Sequence, residues 1–187
     1  MHNFILFSCT VLFSNWQIKK YLKIDVDKLS DNQLKTELKK RKLKIGKRAH
    51  KYNRGLSIAS LFEAVEEFLI QPTFIIDFPK ETTSLCKLHR EDNTLIERFE
   101  PYIAGSEVGN AYTELNDPDL QRHFFEEEAK ARKGGDEEAH PLDEDFLKAM
   151  EYGMPPTGGL GLGIDRMVMI ITGTSSIRDI IAFPTLK

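Results

Sequence analysis

Apolar residues recur along this chain with two spacings, and the switch between them predicts its elements. Leu29, Leu34 and Leu38 stand at helical spacing in the polar, proline-free stretch DVDKLSDNQLKTELKKRKLKIGKRAHK, residues 25–51. That pattern predicts one helix with a basic flank, or a helical hairpin, with Ser30 or Asp31 as N-cap. In SIASLFEAVEEFL, residues 57–69, Ile58, Leu61, Phe62, Val65 and either Phe68 or Leu69 form one stripe, so an amphipathic helix packs on the core and closes at Pro72. PTFIIDFP, residues 72–79, predicts a short buried strand bounded by prolines. LIERFEPYIAGSEVGNAYTELND, residues 95–117, predicts two strands about a tight turn at Gly105-Ser106, with Glu100 opposite Ala111. A helix capped near Asp117 and ended by Gly134-Gly135 follows, then a short helix closed by Gly153, a glycine-rich strand, a helix from about Asp165 to Thr172, and SSIRDIIAFP. Antiparallel strands with helices on one side predict an α+β fold rather than a doubly wound sheet.

Composition narrows this picture. A chain of 187 residues, 41% of them hydrophobic, holds one sizeable core. FILFSCTVLF, residues 4–13, is too short to span a bilayer of about 30 Å and lacks the basic start and small-residue cleavage site of a secretory signal, so it reads as a buried strand or an accidental start, with a targeting segment as the alternative. The net charge of -3 gives no bulk attraction to nucleic acid or membrane, but residues 19–54 hold 14 Lys/Arg against four acids, and residues 126–145 nine acids against three bases. The basic third is either a solvated helix face or a surface for a polyanion. Cys9 and Cys86 are the two cysteines, far apart and without companion His/Cys spacing, so neither a disulfide framework nor a zinc site is indicated.

Chemistry concentrates in two places. MPPTGGLGLGIDRMVM, residues 154–169, misses the dinucleotide pattern G-x-G-x-x-G because Ile164 stands where the third glycine belongs, and no Gly-Lys-Ser/Thr follows to make a P-loop. Gly159, Gly161 and Gly163 alternate, which in a strand puts all three on one flat face. Arg166 at the start of the next helix calls for an anion, since a cation there opposes the helix dipole. A nucleotide supplies both a ring for the flat face and phosphates for the guanidinium; close strand-helix packing that needs small residues is the alternative.

In the predicted hairpin, Glu100 and Glu107 fall on one sheet face, and two convergent carboxylates suit a hard cation such as Mg²⁺ that in turn holds ATP phosphates. Asn110, Tyr112 and Glu114 alternate on one face of the return strand. Strict period 2 would set them opposite Glu107, so a bulge at Gly109 is needed to join the two sets. Glu114 with Tyr112 beside it suits a ligand carrying an ammonium on an aliphatic stem, because the carboxylate neutralises the cation and the ring covers the methylenes. An exposed polar hairpin is the plainer reading.

GMPPTGGLGLGIDRMVMIITG resembles the third signature motif of class II aminoacyl-tRNA synthetases, and with IRDIIAFP after it looks like the lysyl-tRNA synthetase version. GNAYTELNDP resembles that family's lysine-pocket strand, and LIQPTFIIDFP, LCKLHR and DVDKLSD extend the resemblance over residues 25–187. The chain departs from the family where Ser84-Leu85-Cys86 replaces a proline-containing segment and where Ser106 stands in place of a basic residue. The resemblance implies a partial class II catalytic domain, with residues 1–24 unassigned, a basic helical insertion over 25–56, and the C-terminal part of the catalytic domain over 57–187. It implies lysine bound by Asn110, Tyr112 and Glu114; magnesium and ATP carried by Glu100 and Glu107; ATP on the floor of Gly159, Gly161 and Gly163; and Arg166 on the adenine and near the phosphates, with Arg166 and Glu107 serving catalysis. The implied partners are lysine, ATP and tRNA(Lys), with a homodimer for full-length relatives and no membrane, in the cytoplasm or an organelle. The family's anticodon-binding domain and its first and second motifs are not recognisable in residues 1–24, so little or no aminoacylation is expected of this chain alone. The alternatives are a synthetase-like paralogue or fragment acting as a binding or regulatory module, and a paralogue that transfers lysine to a protein.

Overall fold

The structure, a computed structural model, describes residues 10–43, 52–133 and 142–183. Cys9, most of the apolar N-terminal run, the basic residues 44–51, Gly134-Gly135 and Pro184 lie outside the described residues.

The described elements run β1 (Thr10–Phe13), α1 (Ser14–Leu22), α2 (Asp31–Lys40), α3 (Arg54–Glu63), β2 (Thr73–Pro79), β3 (Leu95–Ile103), β4 (Ser106–Glu107), β5 (Gly109–Thr113), α4 (Pro118–Lys133), α5 (Glu144–Glu151), β6 (Gly158–Leu162) and α6 (Ile164–Thr172). The sheet order is β1-β2-β3-β5-β6, with β4 paired to β3. It is antiparallel from β2 to β6, as the pattern predicts, and becomes mixed at one edge because β1 pairs parallel to β2. No hairpin can join β1 to β2, since the intervening chain builds α1, α2 and α3 and returns the strand in the same direction.

Local sequence sets the helix starts. Ser30 and Gln33 close a capping box on α2, Asn53 Oδ1 accepts from Leu56 N at 3.0 Å on α3, and Asp143 Oδ1 accepts from Phe146 N at 2.9 Å on α5. The stripe expected over residues 57–69 is buried at Ile58, Leu61, Phe62, Val65 and Leu69. It is not one helix: α3 stops at Glu63 and a 3₁₀ turn over Glu66–Phe68 re-aims the chain, burying Leu69 and leaving Phe68 stacked on Tyr21 at the surface. β1, the described end of the apolar N-terminal run, is likewise less buried than expected, since its Val11 and Phe13 are more than half exposed.

One face of the sheet carries the core. Ile75, Ile96 and Tyr102 point to the same side as Phe62 of α3, which meets Tyr102 and Phe78 edge-on at ring distances of 5.7 and 5.8 Å. Ile75 and Phe78 are three residues apart and both buried, which a regular strand forbids; a register shift between Ile76 and Phe78, with Asp77 at φ 61°, turns Phe78 inward. The opposite face bears Val11, Phe13, Phe74, Phe99, Leu160 and Leu162; Phe74 meets Phe99 edge-on, and among the described residues Val11, Phe13, Leu160 and Leu162 stay half or more exposed.

The hairpin turns one residue earlier than the sequence suggests. Ala104 and Gly105 take left-handed backbone (φ 55° and 75°), and Ser106 already pairs with Ile103. A β-carbon on Gly105 would sit 2.9 Å from the Glu67 carbonyl oxygen, so glycine is required there on two counts. Tyr102 then faces Glu107, and farther along Phe99 faces Ala111 and Arg98 faces Tyr112. Ala111 therefore pairs with Phe99 rather than with Glu100. Between those pairs three residues of the return strand oppose two of β3, so the required bulge is present, centred on Val108, whose N–H reaches Pro101 O at 2.8 Å.

Candidate active site

The bulge gathers the two predicted sets of side chains onto one face. Directly paired residues share a face, and the pairs Tyr102–Glu107, Arg98–Tyr112, Tyr112–Gly159 and Asn110–Gly161 link β3, β4, β5 and β6. With Glu100 two residues from both Arg98 and Tyr102, one side of the sheet carries Glu100, Glu107, Asn110, Tyr112, Gly159 and Gly161 together. This is the side that α3 covers over β2 and β3.

The β6 glycines make room for the β5 side chains. A β-carbon on Gly159 would overlap Glu114 Oε1 and lie 2.9 Å from Glu114 Cδ, so this carboxylate lies across the glycine. A β-carbon on Gly161 would sit 3.5 Å from Asn110 Oδ1. Gly163 stands outside the strand, as the N-cap of α6, and its N–H donates to Val108 O at 2.9 Å, tying the helix to the bulge. The flat face expected over three glycines thus extends over Gly159 and Gly161 and is partly filled by β5 side chains. Burial holds the Glu114 carboxyl above its ordinary range.

Arg166 meets its anion within the chain. Its Nη1 donates to Glu107 O at 2.7 Å and to Glu107 Oε2 at 3.2 Å, and about half of the side chain stays exposed. The guanidinium closes the glycine strand onto the hairpin.

Glu100 is only 5% exposed. Burial raises its pKa, the Arg98 guanidinium and the Tyr102 hydroxyl oppose the rise, and the Glu107 charge adds to it. Arg98 Nη2 donates to Glu100 Oε1, and the Tyr102 hydroxyl lies 2.7 Å from Glu100 Oε2 and 3.0 Å from Glu66 Oε1. One phenol carries one proton, so its second contact needs a protonated carboxyl as donor. Burial pushes the Glu66 carboxyl up to about 7, with the Tyr102 hydrogen bond opposing and the charges of Glu100, Glu63 and Glu107 adding. Among the described residues no three His, Cys, Asp or Glu side chains cluster as a complete metal shell.

A stability test follows from Glu66. Its folded pKa of about 7 lies above the ordinary 4.5, so its stabilising share is fully present below about 4.5 and is lost as pH rises through 7. Glu66→Gln keeps a neutral hydrogen-bonding group beside Tyr102. Thermal unfolding is expected to find the variant gaining on the wild type by a few degrees between pH 5 and pH 8; a gap that stays constant with pH would contradict it.

A family model for class II tRNA synthetases (D, K and N) matches residues 8–187. The chain belongs to that class II synthetase family. A lysine--tRNA ligase of Sulfolobus acidocaldarius is 56% identical over 164 residues, 87% of this chain and 32% of that protein. One from Clostridium perfringens is 49% identical over 172 residues, 91% of this chain and 34% of its own length, and one from Aquifex aeolicus is 62% identical over 128 residues, 68% and 21%. This class II synthetase chain therefore spans about a third of the first two relatives and less of the third.

Three residues of this face carry no decisive signal in the sequence that points to it. Glu66 reaches Tyr102 from 36 positions away, a distance no periodicity encodes. Tyr102 itself reads as plain core. Arg98 carries a usable signal, since it alternates with Glu100 and Tyr102 along β3, but a lone cation on a strand passes as surface. Lys87 supports the site: its Nζ donates to Asn116 Oδ1 at 3.0 Å, and Asn116 Nδ2 donates to Met154 O at 3.4 Å, linking the end of β5 to the loop that feeds the glycine strand.

Proposed function

We propose that this chain forms the amino-acid and nucleotide-facing part of a lysyl-tRNA synthetase catalytic domain, which joins lysine to ATP as lysyl-adenylate and passes it to tRNA(Lys). The observation that carries the reading is the Glu114 carboxylate lying across Gly159 with Tyr112 and Asn110 on the same face. An ammonium on an aliphatic stem meets a carboxylate at one end and an aromatic ring along its length. Asn110, Tyr112 and Glu114 are the lysine contacts in this reading. Gly159, Gly161 and Gly163 floor the ATP site, and Arg166, released from Glu107 or sharing it, faces adenine and phosphate.

Glu100 and Glu107 supply two carboxylates on one face, a donor set that fits Mg²⁺ when phosphate and water complete the shell. The ion would neutralise phosphate charge there. The side chains otherwise position: adenylate formation is an in-line attack by the lysine carboxylate on the α-phosphorus, and orientation with charge neutralisation carries most of its acceleration.

A homodimer, a cytoplasmic setting, and the division into an N-terminal segment (1–24), a helical insertion (25–56) and a catalytic part (57–187) belong to the same proposal. Among the described residues no helix is long and apolar enough to cross a membrane. The opposite sheet face, with Leu160 64% and Leu162 50% exposed, supports further protein packing on this piece in the working enzyme. It also favours the second reading, a binding module that acts through that face.

Lysine-dependent exchange of pyrophosphate into ATP tests the enzymatic reading. The chain alone is expected to fall at least a thousandfold below an ordinary synthetase rate, since loss of several kcal/mol of transition-state contacts costs about tenfold per 1.36 kcal/mol. Exchange at an ordinary rate would contradict the idea that this piece holds only part of the machinery.

A further inference from the structure

Arg98 has no part in the lysine and ATP contacts described above, yet it touches both sides of the site. Its guanidinium carbon stands 4.8 Å from the Phe78 ring centroid and 5.5 Å from that of Tyr112. Its Nη2 donates to Glu100 Oε1, and the pair is strongly buried, with side-chain exposures of 14% and 6%. The backbone enforces the arrangement, because Arg98 pairs directly with Tyr112 and lies two residues from Glu100 on the same face. Its Nε is buried without a hydrogen-bond partner, so this cation is held by its rings and by one carboxylate rather than by a closed shell of acceptors.

We propose that Arg98 is a positioning residue that couples the two halves of the site, holding Glu100 on the cation and nucleotide side and Tyr112 on the lysine side through one planar group. The inference rests on the lysine and ATP reading above. A ligand that orders Glu100 fixes the guanidinium, and the fixed guanidinium in turn orders the Tyr112 ring. The second ligand then meets a prearranged pocket, which is positive coupling in the thermodynamic sense and acts equally in both directions. Charge alone cannot do this. Lysine in place of arginine would keep the pairing with Glu100 but lose the flat surface that spans two rings.

The test measures lysine affinity by calorimetry with and without Mg²⁺ and α,β-methylene-ATP, for the wild-type chain, Arg98→Lys and Arg98→Met, each checked for folding by circular dichroism. In the wild type the nucleotide is expected to tighten lysine about fivefold or more. In Arg98→Lys that factor falls below about twofold while nucleotide affinity in Mg²⁺ holds within about threefold; in Arg98→Met both the factor and the nucleotide affinity fall. A residue that merely supported the fold would weaken both ligands and leave their ratio unchanged. Should Arg98→Met fail to fold, Arg98→Lys decides alone. A wild-type factor near one, or a wild-type factor kept in folded Arg98→Lys, overturns the coupling and leaves the lysine and ATP reading standing. A wild-type chain that binds neither ligand overturns that reading and the coupling with it.

Discussion

Gly109→Ala is expected to cost about 3 kcal/mol of stability, the upper part of the range for overpacking a close contact. Gly109 needs no unusual backbone; the reason is the approach of β6. A β-carbon there would overlap the Gly161 carbonyl oxygen and lie 3.0 Å from Leu162 Cδ2 and 3.3 Å from Leu162 Cα. Two of those neighbours are main chain, which can retreat only by opening the pairs Gly109–Leu162 and Asn110–Gly161. Gly158, on the neighbouring strand β6, is the control, since its β-carbon would meet nothing nearer than Tyr112 O at 3.8 Å. Thermal unfolding is expected to find Gly109→Ala lowered by roughly 6–12 °C, at about 2–4 °C per kcal/mol for a chain of this size. Gly158→Ala should stay within about 2 °C of the wild type. Equal melting of the two variants would contradict the close packing of β5 on β6, and with it the geometry of the site.

Gly159→Ala should do the reverse, sparing the fold and removing the ligand. The atom in its way is the carboxylate end of Glu114, which swings aside at little cost. Glu114 then leaves the place where it would meet an ammonium. Loss of one charge-assisted contact of about 1.5–3 kcal/mol lowers lysine affinity by about 10- to 150-fold, while the melting temperature changes by no more than about 2 °C. Titration of lysine into both proteins reads this directly. Undiminished affinity in Gly159→Ala would mean that Glu114, where it now stands, is not the ammonium partner.

These two glycines mark how far the sequence could be read. Alternation of Gly159 and Gly161 announces a flat strand face, and alternation of Asn110, Tyr112 and Glu114 announces a polar one; that the two lie side by side follows only from the pairing of β5 with β6. The need for a bulge near Gly109 was legible, because Glu107 and Tyr112 could share a face no other way. Its register was not. Ala104 adopts left-handed backbone, which its residue type disfavours, so the turn falls one residue early; that shifts the partners by two positions, the bulge returns one, and Ala111 meets Phe99 instead of Glu100. Capping chemistry at Ser30 was readable because it is local. The parallel pairing of β1 and the reach of Glu66 to Tyr102 depend on segments far apart in the chain, and nothing local encodes them.

In the proposed enzyme the β5–β6 face is the lysine-specific half of the synthetase site. Isothermal titration with a non-hydrolysable lysyl-adenylate analogue in Mg²⁺, beside Glu114→Ala, tests it most directly. Micromolar binding by the wild-type chain, weakened at least tenfold in a folded Glu114→Ala variant, is the predicted result. A folded wild-type chain that ignores the analogue, or a variant that binds it equally well, would contradict that role.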